Sequence, residues 1–265
     1  MAEGEYRTTT SHGAARRNAF GGKTVYGARV GILVLDTQYP RIPGDPVNAM
    51  TWPFPVLYKV VRTATPDLVT KQNAEGLLDV FLKAADELVA EGADGLTGTC
   101  GFLVMFQREL ASHCKVPVAM SSLLQVPFVQ RLLPPGKRVG ILTARGPWLT
   151  ADHLSAADAP LDTPIGSTEE SCAFNSAMNR GDPIADIAVN EFDVLNAGCE
   201  LVRKSPDVGA VVVECTRMVP YTRALAEELR MPVFDIYNFV CWFHAGLAPR
   251  DFGHPGSGPR DFRER

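Results

Sequence analysis

With 265 residues, 46% of them hydrophobic and 21% charged, the chain has the length and balance of a globular protein, either one large domain or two ordinary lobes. A formal net charge of −4 argues against a nucleic-acid or anionic-membrane surface, and no apolar run reaches the roughly 18–20 residues of a membrane span. The N-terminus lacks the apolar core of a secretory signal. The six cysteines are scattered without a CxxC pair, so no zinc or disulfide framework is indicated and a cytoplasmic location is expected.

In chain order, residues 1–25 are polar and rich in glycine, and a flexible N-terminal arm is expected there. The continuous apolar run 30–35 has the pattern of a strand buried on both faces of a parallel sheet, ending at Asp36-Thr37. The loop 38–55, rich in Pro and Gly, is long for a compact domain, and such loops are often functional. A strand is predicted over 56–61. Between 73 and 90, Leu77, Leu78, Val80, Phe81, Ala84, Leu88 and Val89 keep helical spacing. A short strand then enters Cys100, followed by a helix near 103–112, a strand over 116–120 ending at Ser121, and a helix over 125–133. Pro134-Pro135-Gly136 closes a first α/β lobe, 26–136. A second lobe, 137–248, opens with a strand over 139–142 ending at Thr143 and a variable stretch through Ser171. A long amphipathic helix over 184–202 leads to the strand 210–213, which enters Cys215. A helix over 219–229, a strand over 232–236 and a helix over 238–246 complete it, and a tail, 249–265, follows.

The two lobes echo each other. Gly95-Leu96-Thr97-Gly98-Thr99-Cys100 and Ala210-Val211-Val212-Val213-Glu214-Cys215 are both short apolar strands running into a cysteine, and each cysteine is followed 17 residues later by Pro-Val. Arg108, Leu110 and Ala111 recur 115 positions on as Arg223, Leu225 and Ala226. Val30-Gly31-Ile32-Leu33 likewise matches Val139-Gly140-Ile141-Leu142. Such self-similarity marks a duplicated α/β unit. Alternating strands and helices predict parallel sheets that bind ligands beyond the carboxyl ends of their strands. Facing lobes then place the two cysteines on opposite walls of one cleft.

A thiol at a strand end that leads into a helix lies near backbone N–H groups and the positive end of the helix dipole, which lowers its pKa from about 8.5 toward neutrality. One thiolate then serves as base while the opposing thiol serves as acid, a pair able to invert a carbon acid. The same helix starts can hold a substrate carboxylate.

At Thr99-Cys100-Gly101, Glu214-Cys215-Thr216 and the Asp36-Thr37 strand end, the sequence resembles the aspartate/glutamate racemase superfamily, which includes hydantoin racemases, maleate isomerases and arylmalonate decarboxylases. The resemblance covers roughly residues 29–246 and implies two pseudo-symmetric Rossmann-like lobes with the active site between them. It also implies cofactor-independent two-base catalysis, with no cofactor and no metal. Carried over, Cys100 and Cys215 take the acid and base roles, and Thr99, Gly101 and Thr216 bind the carboxylate. Asp36 matches an acidic residue that tunes the first thiol in some members. Thr37 and Thr143, at strand ends, join the substrate-binding set, and Arg41, Ser121, Glu214 and Arg217 are further candidates. Glutamate racemases follow the second cysteine with Thr-His-Tyr-Pro, whereas this chain has Thr216-Arg217-Met218-Val219.

The expected function is therefore an isomerase, a racemase or epimerase acting on an amino acid such as aspartate or glutamate, or on a hydantoin. Alternatives are a maleate-type cis–trans isomerase or a decarboxylase of the same superfamily and, from another class, a non-catalytic small-molecule-binding protein. The expected partners are a small carboxylate or hydantoin substrate and further copies of the chain in a homo-oligomer, with no nucleic acid and no membrane.

Overall fold

Six consecutive apolar residues, all buried, make Val30–Leu35 (β1) a strand covered on both faces. This computed structural model describes residues 21–71, 74–180 and 182–250. Most of the expected N-terminal arm and of the expected tail lies outside the described residues. Within the arm, the Val25 N–H donates to the Glu91 carbonyl (2.8 Å) and Lys23 pairs with Asp94, so this part is tied to the first lobe.

After β1 come β2 (Val56–Val61), α1 (Pro66–Lys71), α2 (Leu78–Glu91), β3 (Gly95–Gly98), α3 (Gln107–His113), β4 (Val118–Ala119) and α4 (Val126–Leu132). The second half runs β5 (Arg138–Thr143), α5 (Ala151–Ala156), β6 (Ile165–Ser167), α6 (Ala173–Arg180), α7 (Ile187–Lys204), β7 (Val208–Val213), α8 (Thr222–Leu229), β8 (Val233–Phe234) and α9 (Ile236–Leu247). The described strands form two four-stranded parallel sheets, ordered β2-β1-β3-β4 and β6-β5-β7-β8. The identical order is the structural form of the duplication, and the α/β class is as expected. No described helix is long and apolar enough to cross a membrane.

Several local readings differ from the structure. The helix expected from 73 starts only at Leu78, because Ala74 and Gly76 take positive φ (56° and 73°) that a helix cannot accommodate. The helix expected behind each cysteine opens as a 3₁₀ segment, Gly101–Phe106 and Thr216–Tyr221, before α3 and α8 begin. In the stretch left without elements before Ser171, α5 and β6 form.

The halves also trade helices. α9 follows the second sheet in sequence, yet its Ile236 and Val240 pack with Val30, Ile32 and Val34 of the first. Gly95 permits this approach, since a Cβ there would lie 2.6 Å from both Leu247 Cδ1 and Phe243 Cζ. Conversely, Gln130 of α4 accepts from the Val139 N–H of β5 (3.0 Å) and donates to the Lys137 carbonyl (3.0 Å). These exchanges tie each half to the other.

Candidate active site

β3 and β7 sit next to β1 and β5 in their sheets, and each delivers its cysteine to the start of a 3₁₀ segment with extended backbone (φ −148° at Cys100, −74° at Cys215). Both thiols line one small cavity of about 40 Å³, on a measure where one water needs about 10–15 Å³. The first half contributes Leu35, Tyr39, Pro66, Thr70, Thr99, Cys100, Gly101 and Phe102; the second contributes Ala144, Arg145, Glu214, Cys215, Thr216 and Arg217.

The walls are cross-tied. Thr216 Oγ1 donates to the Thr99 carbonyl at 2.7 Å, and Thr99 Oγ1 accepts from the Leu35 N–H at 3.2 Å. From the second half the Glu214 carboxylate reaches into the first, where the N–H groups of Gly101 and Phe102 hydrogen-bond to it. Thr143 Oγ1 donates to Glu214 Oε2 at 2.5 Å from behind. Only glycine fits at 101, because a Cβ there would lie 2.7 Å from the Glu214 carbonyl oxygen and overlap its carboxylate.

Cations close the other side. Tyr39 packs against two guanidinium groups, Arg41 at 4.5 Å and Arg217 at 4.3 Å from its ring centroid. Arg217 also lies 4.4 Å from the Phe174 ring and donates to the Phe174 carbonyl at 3.1 Å. Arg145 is buried and pairs with Asp67 at 3.4 Å.

Burial dominates the electrostatics. It raises the Glu214 carboxyl to about 7, against the lowering by Thr143, the two N–H groups and Arg145. Burial, then the Glu214 charge, pushes Cys215 up to about 12, with Arg217 and its backbone N–H acting the other way. The same causes put Cys100 well above its ordinary value, against the Phe102 N–H. The lowering expected from the helix starts is therefore present but outweighed by desolvation and by a carboxylate between the thiols.

The other predicted residues stand apart from the cavity. Thr143 lies behind Glu214. Ser121 is buried and caps its own turn, accepting from the Leu123 N–H at 3.1 Å. The Asp36 N–H donates to the Ala64 carbonyl at 3.0 Å, and Asp36 is not among the lining residues. Arg41 is paired to Asp45 (2.9 Å) and donates to Thr37, which engages Arg41 and Thr37 together beside Tyr39. Tyr39 and Arg145 were not read from the sequence. Arg145 lies two residues beyond the strand-end Thr143, a spacing that the strand-end rule could have caught. Nothing local marks Tyr39. Among the described residues no group of three or more His, Cys, Asp or Glu side chains is placed to hold a metal ion.

No family model matches the chain. Among curated proteins it is similar to dimethylsulfoniopropionate lyase 3 of Emiliania huxleyi, 31% identical over 226 residues, 78% of this chain and 56% of that protein. It is 27% identical to dimethylsulfoniopropionate lyase 5 of the same organism over 231 residues, 82% of this chain and 45% of that protein. It is 25% identical to the dimethylsulfoniopropionate lyase of Durusdinium sp. clade D over 249 residues, 88% of this chain and 82% of that protein. The chain thus spans about half the length of the first two relatives. Among solved structures it is similar to a cysteine-substituted, sulfate-associated arylmalonate decarboxylase (TM-score 0.58, 15% identity, 86% of this chain and 97% of that one). It is also similar to a glutamate racemase of Bacillus anthracis (TM-score 0.55, 14% identity, 83% of each chain). At these identities the likeness is one of fold. The expected isomerase class is corrected by the sequence relatives, which are named as lyases.

Proposed function

We propose that this chain is a lyase that eliminates a sulfonium leaving group from a small β-substituted propionate, with dimethylsulfoniopropionate as substrate and a kinship to the racemase superfamily. The observation that carries this reading is the pair of cysteines on one small cavity in a chain whose sequence relatives are named dimethylsulfoniopropionate lyases.

The chemistry fits the site. The Cys215 thiolate removes a proton from the carbon next to the carboxylate. The C–H electron pair becomes the Cα=Cβ double bond, and the Cβ–S bond breaks with its electrons leaving on sulfur. Dimethyl sulfide departs neutral, acrylate forms, and the proton rests on Cys215 until solvent takes it. A sulfonium leaves without needing a proton, so one base suffices and no opposing acid is required.

Part of what raises both thiols is the Glu214 charge, and a cationic substrate beside them offsets it. A unit positive charge about 5 Å from the thiolate, at an effective dielectric near 20, stabilises it by about 3 kcal/mol, roughly two pKa units. The substrate would thereby help to create its own base. Arg145 and Arg217, both on the cavity wall, supply positive charge for the carboxylate.

The test is direct. Purified protein incubated with dimethylsulfoniopropionate should release dimethyl sulfide and acrylate in equal amounts, read by gas chromatography and liquid chromatography. Absence of both products from folded protein at saturating substrate would overturn the reading.

A further inference from the structure

The pseudo-symmetry of the two halves breaks at one pair of positions. Glu214 and Thr99 are counterparts, 115 residues apart, each directly before its cysteine. Their N–H groups donate alike, to Leu142 and Leu33 of the neighbouring strands. Their side chains do not behave alike. Thr99 turns its hydroxyl back to the Leu35 N–H within its own sheet. Glu214 crosses to the other half and accepts from the N–H groups of Gly101 and Phe102, the start of the 3₁₀ segment behind Cys100.

The surrounding residues match this asymmetry. Gly101, facing Glu214, has no room for a Cβ, whereas its counterpart Thr216, facing the shorter Thr99, carries a full side chain that donates to the Thr99 carbonyl. The hydroxyl that supports Glu214 comes from Thr143 on β5, and the counterpart position on β1 is Val34, which has none. Glycine, glutamate and threonine thus form one set on one side of the cavity, with no equivalent on the other.

We propose that Glu214 is the positioning residue that makes this site one-sided: its carboxylate fills the anion-binding turn behind Cys100, holds Cys100 as a thiol, and leaves Cys215 as the base. The assignment of Cys215 as base rests on the lyase reading; the effect of Glu214 on Cys100 does not. A two-base site needs both thiols to exchange roles, and a carboxylate held on one turn only works against the exchange. Each thiol has a guanidinium acting against the Glu214 charge, Arg217 for Cys215 and Arg145 for Cys100, and Arg217 is the leading lowering influence on its thiol whereas Arg145 is not. Cys100 is faced by Glu214, Cys215 and Arg145; Cys215 is faced by Glu214, Arg217, Asp45 and Tyr39.

The experiment is alkylation by iodoacetamide, followed for each cysteine by peptide mass spectrometry between pH 6 and pH 10. In the unaltered chain Cys215 is expected to react before Cys100. Glu214→Gln keeps the shape but removes the charge, and should speed Cys100 at least tenfold at pH 8, the effect of about one pKa unit on thiolate population. Cys215 should gain less. Cys100 reacting first in the unaltered chain, or a Cys100 rate unmoved by Glu214→Gln, would overturn the proposal. Neither readout needs turnover, so a chain with this order of reactivity but no dimethyl sulfide release would sink the lyase reading and still support the role of Glu214.

Discussion

Thr216 Oγ1 and the backbone carbonyl of Thr99 meet at 2.7 Å across the boundary between the two halves, both residues buried. Thr216→Val keeps the volume but leaves that carbonyl without this donor. A buried acceptor stranded in this way costs about 1–3 kcal/mol. The expected result is an urea midpoint lowered accordingly with an unchanged slope, and an unmoved midpoint would show that the tie carries no net stability.

Gly101→Ala tests the close approach of Glu214. The added methyl meets a backbone oxygen as well as the carboxylate, so it cannot be relieved by one side-chain rotation. Overpacking of this kind costs about 1–3 kcal/mol. The turnover number should fall more than tenfold along with stability. Full activity in a stable Gly101→Ala protein would place Glu214 elsewhere in the working enzyme.

The two cysteines should separate in an activity assay. Cys215→Ala removes the proposed base, and a loss of at least about 10³-fold in kcat is expected from the removal of such a group. Cys100→Ala opens the cavity and disturbs the turn bound to Glu214, with a loss nearer tenfold. Equal losses at the two positions would argue for a mechanism that uses both thiols.

Stability should depend on pH through Glu214, whose carboxyl is raised from 4.5 to about 7, first by burial. Between those values the folded chain holds a proton that the unfolded chain has released. Stability therefore falls as pH rises from about 4.5 to about 7 and levels off above. The full drop is on the order of 3 kcal/mol. Glu214→Gln should flatten this part of the profile, measured by urea unfolding at pH 5, 6, 7 and 8. Asp235, buried at the head of α9 and shifted upward by that burial, adds a slope of the same sign, whereas His153 and His244, lowered from 6.5 by burial, add one of the opposite sign, so the Glu214 part is read as the difference between the two profiles. A profile unchanged by the substitution would mean that Glu214 ionises near its ordinary value.

What the sequence determined by itself is what repeats or is local. The apolar runs at 30–35 and 210–213 have the pattern of buried strands, and the 115-residue offset puts Cys100 and Cys215 at equivalent strand ends. Parallel sheets and the pairing of the cysteines follow from those two signals, because side-chain period and self-similarity are written along the chain, whereas the strand order is seen only in the fold. The tertiary structure decided the rest. Tyr39 reaches the cavity only because its loop folds back, with Gly44 (φ 104°) close against Pro220, so that arginines from two separate segments flank the ring. The direction of the thiol shifts was likewise invisible locally: the helix start that lowers a thiol pKa adjoins it in sequence, whereas the burial that raises it is the work of both halves. Glu214 shows the difference most plainly. Its place before Cys215 can be read from the chain, but that its carboxylate belongs to the turn of Cys100 is decided by two sheets meeting end to end.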